Sequence, residues 1–165
     1  MNEDVLQLER FLKYDLLVQL WREFCKAHTE LYDLTCEEYL HLLNSEIEEL
    51  EGTLKIKERV LDKISFLENK RRQLIQEIND KKLFNSEISN VSGLLETLEN
   101  VGLEKKGKHL QKFNELLIDI VTKIQKQNKK NQVFLNKAML NLRDLKEGFS
   151  GKKNYKTYTS AGMTR

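Results

Sequence analysis

The chain has 165 residues but contains no proline, and it has only 7 glycines and 2 cysteines. Proline breaks a helix because its ring removes a backbone donor and clashes with the preceding turn, so its absence favours long helices. Two cysteines in such a chain indicate reduced thiols rather than a disulfide. No hydrophobic run approaches the roughly 20 residues of a membrane-spanning helix. These absences exclude a disulfide scaffold and favour a helical protein without membrane spans.

The N-terminus begins Met-Asn-Glu-Asp and has neither the basic region nor the apolar region of a secretory signal. The expected location is therefore the cytoplasm. No Gly-rich phosphate loop, HExxH motif or nucleophile elbow is present, and we do not expect an enzyme or a cofactor.

Charge is what the sequence has in abundance. Charged residues make up 33% of the chain, against about 25% in a typical globular domain. The mean hydropathy is −0.59, which indicates narrow apolar stripes on helices with large solvated faces. Residues 103–165 hold 15 basic and 5 acidic residues, a net charge of +10, whereas residues 1–102 hold 13 and 21, a net charge of −8. Such an uneven distribution of charge can steer partners or hold the two oppositely charged segments together.

Apolar residues at steps of three and four predict an all-α fold, an elongated antiparallel helical bundle or coiled coil. Three long helices are expected over about residues 6–43, 46–83 and 104–147, the last beginning at 104 or 108. A connector over 84–107 is expected to contain one short helix. Ser45 with Glu48 forms a possible capping box, and we prefer it to the alternative break at Thr35. Gly148 is a natural helix stop, so residues 1–148 form the predicted bundle and 149–165 a flexible tail.

The buried side of each helix follows from the same spacing. Lys57 and Arg71 fall on the stripe of the second helix, and Trp21, Phe24 and Phe66 are predicted to pack in the core. In the first helix the stripe is Leu16, Leu20, Phe24, Ala27, Leu31 and Leu34. In the second helix it is Ile47, Leu50, Leu54, Leu61, Ile64, Leu67, Leu74 and Ile78.

Four possible metal ligands, Cys25, His28, Cys36 and His41, have the right chemistry for zinc. In a continuous helix, however, Cys25 and His41 lie about 24 Å apart. We therefore expect no metal site. Lys123, Lys126, Lys129 and Lys130 lie close together, but no nucleic-acid-binding module accompanies them, and we expect no nucleic-acid partner.

The third long helix has an unusual stripe. Asn128 and Asn131 share a face with its apolar residues, and asparagine at a helix seam sacrifices stability but can specify register or partner. A closed core would disfavour this arrangement, so we predict that this seam binds a helix of another protein. The predicted contact residues are Leu117, Ile120, Ile124, Asn128, Asn131, Leu135, Ala138 and Leu142.

The order of motifs along nearly the whole chain resembles the flagellar export chaperone family called FlgN. The resemblance is carried by residues 43–50, 57–61 and 66–74, by Asn128-x-x-Asn131-x-x-Phe-Leu135, and by the tail Tyr158-x-x-x-Gly162. It implies a small cytoplasmic helical chaperone of hook-associated proteins, which form the hook–filament junction. Such a chaperone binds the terminal helices of its substrates, keeps them unassembled and delivers them to the flagellar type III export gate.

The resemblance also implies that a tail aromatic residue docks on the cytoplasmic domain of the export gate. Tyr155, Tyr158 and Gly162 are the candidates, and Tyr158 matches the family position. Two alternatives stay open: a structural coiled-coil protein that self-associates as a homodimer, and a helical rod that binds nucleic acid.

Overall fold

A computed structural model describes the backbone of residues 2–163 and the side chains of residues 2–150. Residues 2–163 form four helices: α1 (Glu3–Asn44), α2 (Ile47–Asp80), α3 (Val91–Asn100) and α4 (His109–Met163). No strand occurs in this part of the chain, so the predicted all-α bundle, with three long helices and a short one, is confirmed. The chain divides into two compact units, Met1–Gln127 and Asn128–Arg165.

Within the first unit, α2 runs antiparallel to α1 and the first part of α4 runs parallel to α1. Lys57 pairs with Glu38 at 2.7 Å near the turn between α1 and α2, and Lys13 pairs with Glu77 at the other end. The indole of Trp21 donates a hydrogen bond to Asn114, 3.1 Å away on α4. These contacts place three helices side by side.

The turn between α1 and α2 lies at Ser45, as predicted, and α1 continues through Thr35. The predicted capping box is wrong. Ser45 has a φ of 58° and ends α1 in the left-handed conformation, while Glu46 precedes α2 and makes no capping hydrogen bond. The short turn requires one residue in the left-handed backbone conformation. Ser45 adopts that conformation and therefore does not cap α2.

The buried register of α2 differs from the predicted one over its N-terminal half. Leu54 and Leu61 are 45% and 47% exposed, whereas Thr53 and Val60 are buried. The observed seam therefore has an uninterrupted alternation of four- and three-residue steps, as in a coiled coil. Its members are Thr53, Lys57, Val60, Ile64, Leu67, Arg71, Leu74 and Ile78.

Other predicted core residues of α1 and α2 are also exposed. Ile47 and Leu16 are among them, and Phe66 lies one position off the α2 seam, where its ring is covered by the Lys70 ammonium at 4.7 Å. Trp21 and Phe24 are buried as predicted, with their rings in edge contact at 6.1 Å.

The connector contributes strongly to the core, which its polar sequence did not indicate. Leu83, Phe84 and Ile88 are buried, as are Leu94 and Leu98 of α3. They pack in one cluster with the α1 residues between Tyr14 and Ala27. Residues before α3 are therefore an ordered part of the first unit.

Polar side chains hold the connector in place. The Asn79 side chain donates to the carbonyl of Ile88 at 3.0 Å and accepts from its N–H at 2.9 Å. Asn90 caps α3 by accepting from the N–H of Gly93 at 2.7 Å. Each bond satisfies a backbone group that the irregular chain would otherwise leave without a partner.

The third long helix begins at His109 and does not stop at Gly148, since α4 continues to Met163. The side chains of residues 151–165 lie outside the described residues. The mobility of the segment 149–165 therefore stays a prediction.

Candidate partner-binding face of α4

The first three predicted contact residues of α4 belong to the core of the first unit. Ile120 and Ile124 are buried in a cluster with Cys25, Leu31 and Leu34, and Leu117 packs against the same cluster. A foreign helix can reach them only if this packing opens. We therefore leave them out of the partner-binding surface proposed below.

The two asparagines have different surroundings. Asn128 is exposed, whereas Asn131 is one of the few buried polar residues in the described part of the chain. Asn131 lies seven residues after Ile124, on the same face of the helix. The apolar stripe thus passes through one exposed and one buried amide, whereas the sequence predicted that both asparagines lie on a surface open to a partner.

Beyond Asn131 the stripe becomes progressively exposed. Leu135 and Ala138 are half-buried, while Leu142, Leu145 and Phe149 are 67%, 60% and 66% exposed. Steps of four, three, four, three and four residues from Asn131 keep all five on one face of α4. We call Ala138, Leu142, Leu145 and Phe149 the α4 stripe.

Neither Leu145 nor Phe149 was among the predicted contact residues. The signal for Phe149 was present, because it continues the spacing four residues after Leu145. Phe149 was left out because Gly148 precedes it, and a glycine near the end of an amphipathic pattern usually marks a helix end.

Polar side chains border the stripe. Lys146 is exposed on one flank. Arg143 lies further round on the same side and pairs with Glu147 at 3.2 Å. Leu140 is 56% exposed on the opposite side of the helix, because two residues before Leu142 correspond to about 200° of rotation. The stripe is therefore a defined apolar face rather than a wholly apolar helix.

The residues considered for zinc do not assemble. α1 is continuous through Cys25 and His41, and no group of three or more potential metal ligands occurs among the described residues. The Cys25 thiol donates to the carbonyl of Phe113 at 3.3 Å, and burial raises the pKa of this thiol. A protonated, hydrogen-bonded thiol of this kind is a packing group.

The lysines considered for nucleic acid lie at exposed positions of α4. Lys123 pairs with Asp119 at 2.9 Å, and this contact raises the pKa of its ammonium group. The predicted gate-docking residues Tyr155, Tyr158 and Gly162 lie in the part of α4 whose side chains are not described.

No helix in the described part of the chain is both long and apolar enough to span a membrane. No curated protein and no solved structure matches the chain. The family model described as FlgN protein matches residues 13–165, which is nearly the whole chain. The chain therefore belongs to the FlgN family, whose members are flagellar export chaperones.

Proposed function

We propose that this chain is a cytoplasmic chaperone of hook-associated proteins. It binds their terminal helices, prevents premature assembly and delivers them to the flagellar export gate. Family membership supports the general role in flagellar export. The observation that carries the specific proposal is the α4 stripe, in which Leu142, Leu145 and Phe149 are each at least 60% exposed on one helix face.

Protein termini that later polymerise into a filament are amphipathic helices that would aggregate alone. Such a helix binds through apolar anchors at helical spacing, and the α4 stripe presents anchors of the matching kind. Its side chains project from a regular helix, so little backbone entropy is lost on binding. The half-buried Leu135 extends the α4 stripe toward Asn131.

Polar residues near the stripe keep the affinity moderate. Asn128 is exposed close to the start of this surface and can accept or donate hydrogen bonds to a partner. A polar residue in a helix seam fixes register at a cost in stability. A chaperone must release its substrate at the gate, and a moderate affinity permits that release.

The C-terminal end of α4 is proposed to dock on the cytoplasmic domain of the export gate through Tyr155, Tyr158 and Gly162. Tyrosine suits a docking residue because it buries a large ring while its hydroxyl keeps a hydrogen bond. Lys152, Lys153 and Lys156 in the same segment would speed encounter with an acidic surface.

The test compares two variants on opposite faces of one helix. Leu142→Asp with Leu145→Asp places charges on the α4 stripe, and Leu140→Asp places one on the opposite side. A purified hook-associated protein from the same genome is titrated by calorimetry. We expect the double variant to bind at least about tenfold more weakly, the effect of losing one strong anchor.

The Leu140→Asp variant should bind as the unchanged chain does. Circular dichroism establishes that both variants remain helical. Equal binding by the double variant and the unchanged chain would remove the α4 stripe from the proposal. No binding by the unchanged chain to any hook-associated protein would overturn the proposed substrate class.

A further inference from the structure

The N-terminal half of α2 carries an exposed apolar surface that the proposed function does not use. Ile47, Leu54 and Leu61 follow one another at seven-residue steps and are 61%, 45% and 47% exposed. Seven residues are nearly two helical turns, so the three side chains lie in one row along about 21 Å of helix. We call these three residues the α2 stripe. Single exposed leucines need no explanation, whereas an aligned apolar surface marks an interaction site.

The same row of α2 positions is covered by α3 further along the helix. Two more seven-residue steps lead from Leu61 to Glu68 and then to Ile75. Ile75 is half-buried and borders the same small cavity as Val91 and Leu94, which belong to α3. α3 has 10 residues, whereas α2 has 34. A helix of the chain itself therefore covers one end of this row and leaves the α2 stripe exposed.

The α2 stripe lies beside the α2 seam rather than on it. Leu54 and Leu61 each come one residue after a buried seam residue, Thr53 or Val60. One residue step turns the side chain by about 100° around the helix axis. A helix placed on the α2 stripe would therefore pack against α2 without opening the core of the first unit.

The residues that border the α2 stripe on its outer side are acidic. Glu51 and Glu58 come four residues after Ile47 and Leu54 respectively, and both are exposed. In the described part of the chain neither carboxylate forms an ion pair. These two acidic groups therefore keep their negative charge available to a partner at the edge of an apolar surface.

The basic residues near the α2 stripe do not neutralise this charge. Lys57 is the closest of them, and its ammonium group donates to Glu38 at 2.7 Å. Three exposed bases lie further round the helix, at least 100° from the two leucines of the stripe. They are Lys55, Arg59 and Lys63. A helix bound to the stripe would thus meet acidic side chains along its outer edge.

We propose that the α2 stripe binds an amphipathic helix of another protein, one with basic side chains beside its apolar residues. The apolar face of that helix covers the stripe and continues along α2 the cover that α3 provides. Its lysine or arginine side chains pair with Glu51 and Glu58, which fixes the orientation and speeds association.

This partner is separate from the hook-associated protein of the proposed function. The α2 stripe lies in the first unit of the chain, and the α4 stripe lies in the second. The exposed Arg143 and Lys146 beside the α4 stripe would repel the same basic helix. The chain thus has two apolar helix surfaces with flanking charges of opposite sign, and the α2 proposal does not rest on the substrate proposed for α4.

Two synthetic peptides serve as probes. Each has about 18 residues, enough to cover the stripe as a helix, with leucine at steps of three and four residues. One peptide carries lysine at the flanking positions, and the other carries glutamate there. Fluorescence anisotropy of each labelled peptide, titrated with the full-length chain, measures its dissociation constant. The lysine peptide should bind in the range of about 1–100 µM and at least tenfold more tightly than the glutamate peptide.

Substitutions locate the binding surface. Leu54→Asp with Leu61→Asp should weaken binding of the lysine peptide at least tenfold, because both place a charge on the apolar contact. Ile56→Asp is the matched control, since Ile56 is 46% exposed on α2 but lies about 200° round the helix from Leu54. It should leave the dissociation constant unchanged. Circular dichroism checks that each variant is folded.

Charge reversal tests the role of the acidic border without touching the apolar residues. Glu51→Lys with Glu58→Lys should reverse the preference, so that the glutamate peptide binds more tightly than the lysine peptide. This comparison keeps the proposal testable even if the aspartate variant unfolds.

The proposed partner chemistry is wrong if the lysine peptide does not bind at about 100 µM chain, or if the leucine substitutions leave its affinity unchanged. An unchanged preference after charge reversal also overturns it. Sedimentation equilibrium tests for a second copy on the same surface. Self-association that the Leu54 and Leu61 substitutions abolish would assign the stripe to another copy of this chain and not to a foreign helix.

A titration with a hook-associated protein keeps the two proposals apart. The Leu54→Asp, Leu61→Asp variant should bind that protein as the unchanged chain does, while it loses the lysine peptide. Loss of both would make the α2 stripe part of the substrate surface and overturn the separate partner. Failure of the unchanged chain to bind any hook-associated protein, with the lysine peptide still bound, would overturn only the proposed function.

Discussion

The hydroxyl of Tyr14 donates a 2.6 Å hydrogen bond to the carboxylate of Glu104, a residue 90 positions later in the chain. Glu104 is buried, and its carboxylate also accepts from the N–H groups of Leu110 and Gln111 at 3.1 and 3.3 Å. One acidic side chain thus anchors the connector to α1 and caps the first turn of α4, whose N–H groups would otherwise have no partner.

Glu104→Ala should destabilise the protein by about 2–4 kcal/mol, since it removes a cap and leaves the buried Tyr14 hydroxyl without its acceptor. Urea denaturation followed by circular dichroism measures the free energy of unfolding. Glu99→Ala is the control, because the Glu99 carboxylate makes an exposed 3.6 Å ion pair with Lys108 and the substitution keeps the backbone contacts. A similar loss in both variants would show that the Glu104 contacts do not form.

Tyr14 should make stability depend on pH in the alkaline range. Burial, the hydrogen bond to Glu104 and the charge of Glu104 raise the pKa of Tyr14 in the folded chain. The neutral phenol is therefore favoured by folding, and its contribution is full below the unfolded pKa of about 10 and lost as the pH rises above it. The free energy of unfolding should fall less between pH 9 and 11 in Tyr14→Phe than in the unchanged chain. Parallel curves would contradict this assignment.

Leu61→Ala and Leu67→Ala distinguish the observed register of α2 from the one predicted by its leucines. Leu67 is 5% exposed, and its truncation should cost about 2–5 kcal/mol. Leu61 is nearly half exposed and should lose less than about 1 kcal/mol. Thermal and urea denaturation of both variants measure the difference, and equal losses would indicate that α2 is rotated from the described position.

The Glu38–Lys57 pair, with side chains 13% and 15% exposed, lies on the seam between α1 and α2. Glu38→Met alone should destabilise the chain by about 1–3 kcal/mol, because it leaves the ammonium of Lys57 largely buried without its partner. Replacing both residues by methionine should recover most of that loss. Denaturation of the two single variants and the double variant gives the coupling energy, and additive losses would rule out a direct interaction.

The tail prediction separates gate docking from substrate binding. Tyr158→Ala should weaken binding to the purified cytoplasmic domain of the export gate and leave binding of a hook-associated protein unchanged. Tyr155→Ala should have the smaller effect, because Tyr158 matches the family position. A chain ending at Phe149 that binds the gate domain as tightly as the full chain, with substrate present, would remove the tail from the proposed docking surface.

The sequence by itself determined that three long helices and one short helix form, and the approximate extent of α1 and α2, because apolar spacing and the absence of proline are local properties of the chain. It also located the turn at Ser45 and the lysine and arginine on the α2 seam. The family followed from motif order, and the match over residues 13–165 confirms it. The continuation of apolar residues past Asn131 was likewise predicted from their steps of three and four residues.

Only the tertiary structure decided which apolar residues are covered. Leu61 and Val60 are both suitable core residues at adjacent positions, and the choice between them depends on how α2 is rotated against α1. Leu16 and Leu20 have the same spacing, yet only Leu20 is buried. Ile124 and Leu142 follow the same helical spacing in the sequence, yet Ile124 packs against α1 and α2 and is buried, whereas Leu142 is exposed. Local spacing identifies an apolar face, whereas its availability to a partner depends on contacts between residues distant in the sequence.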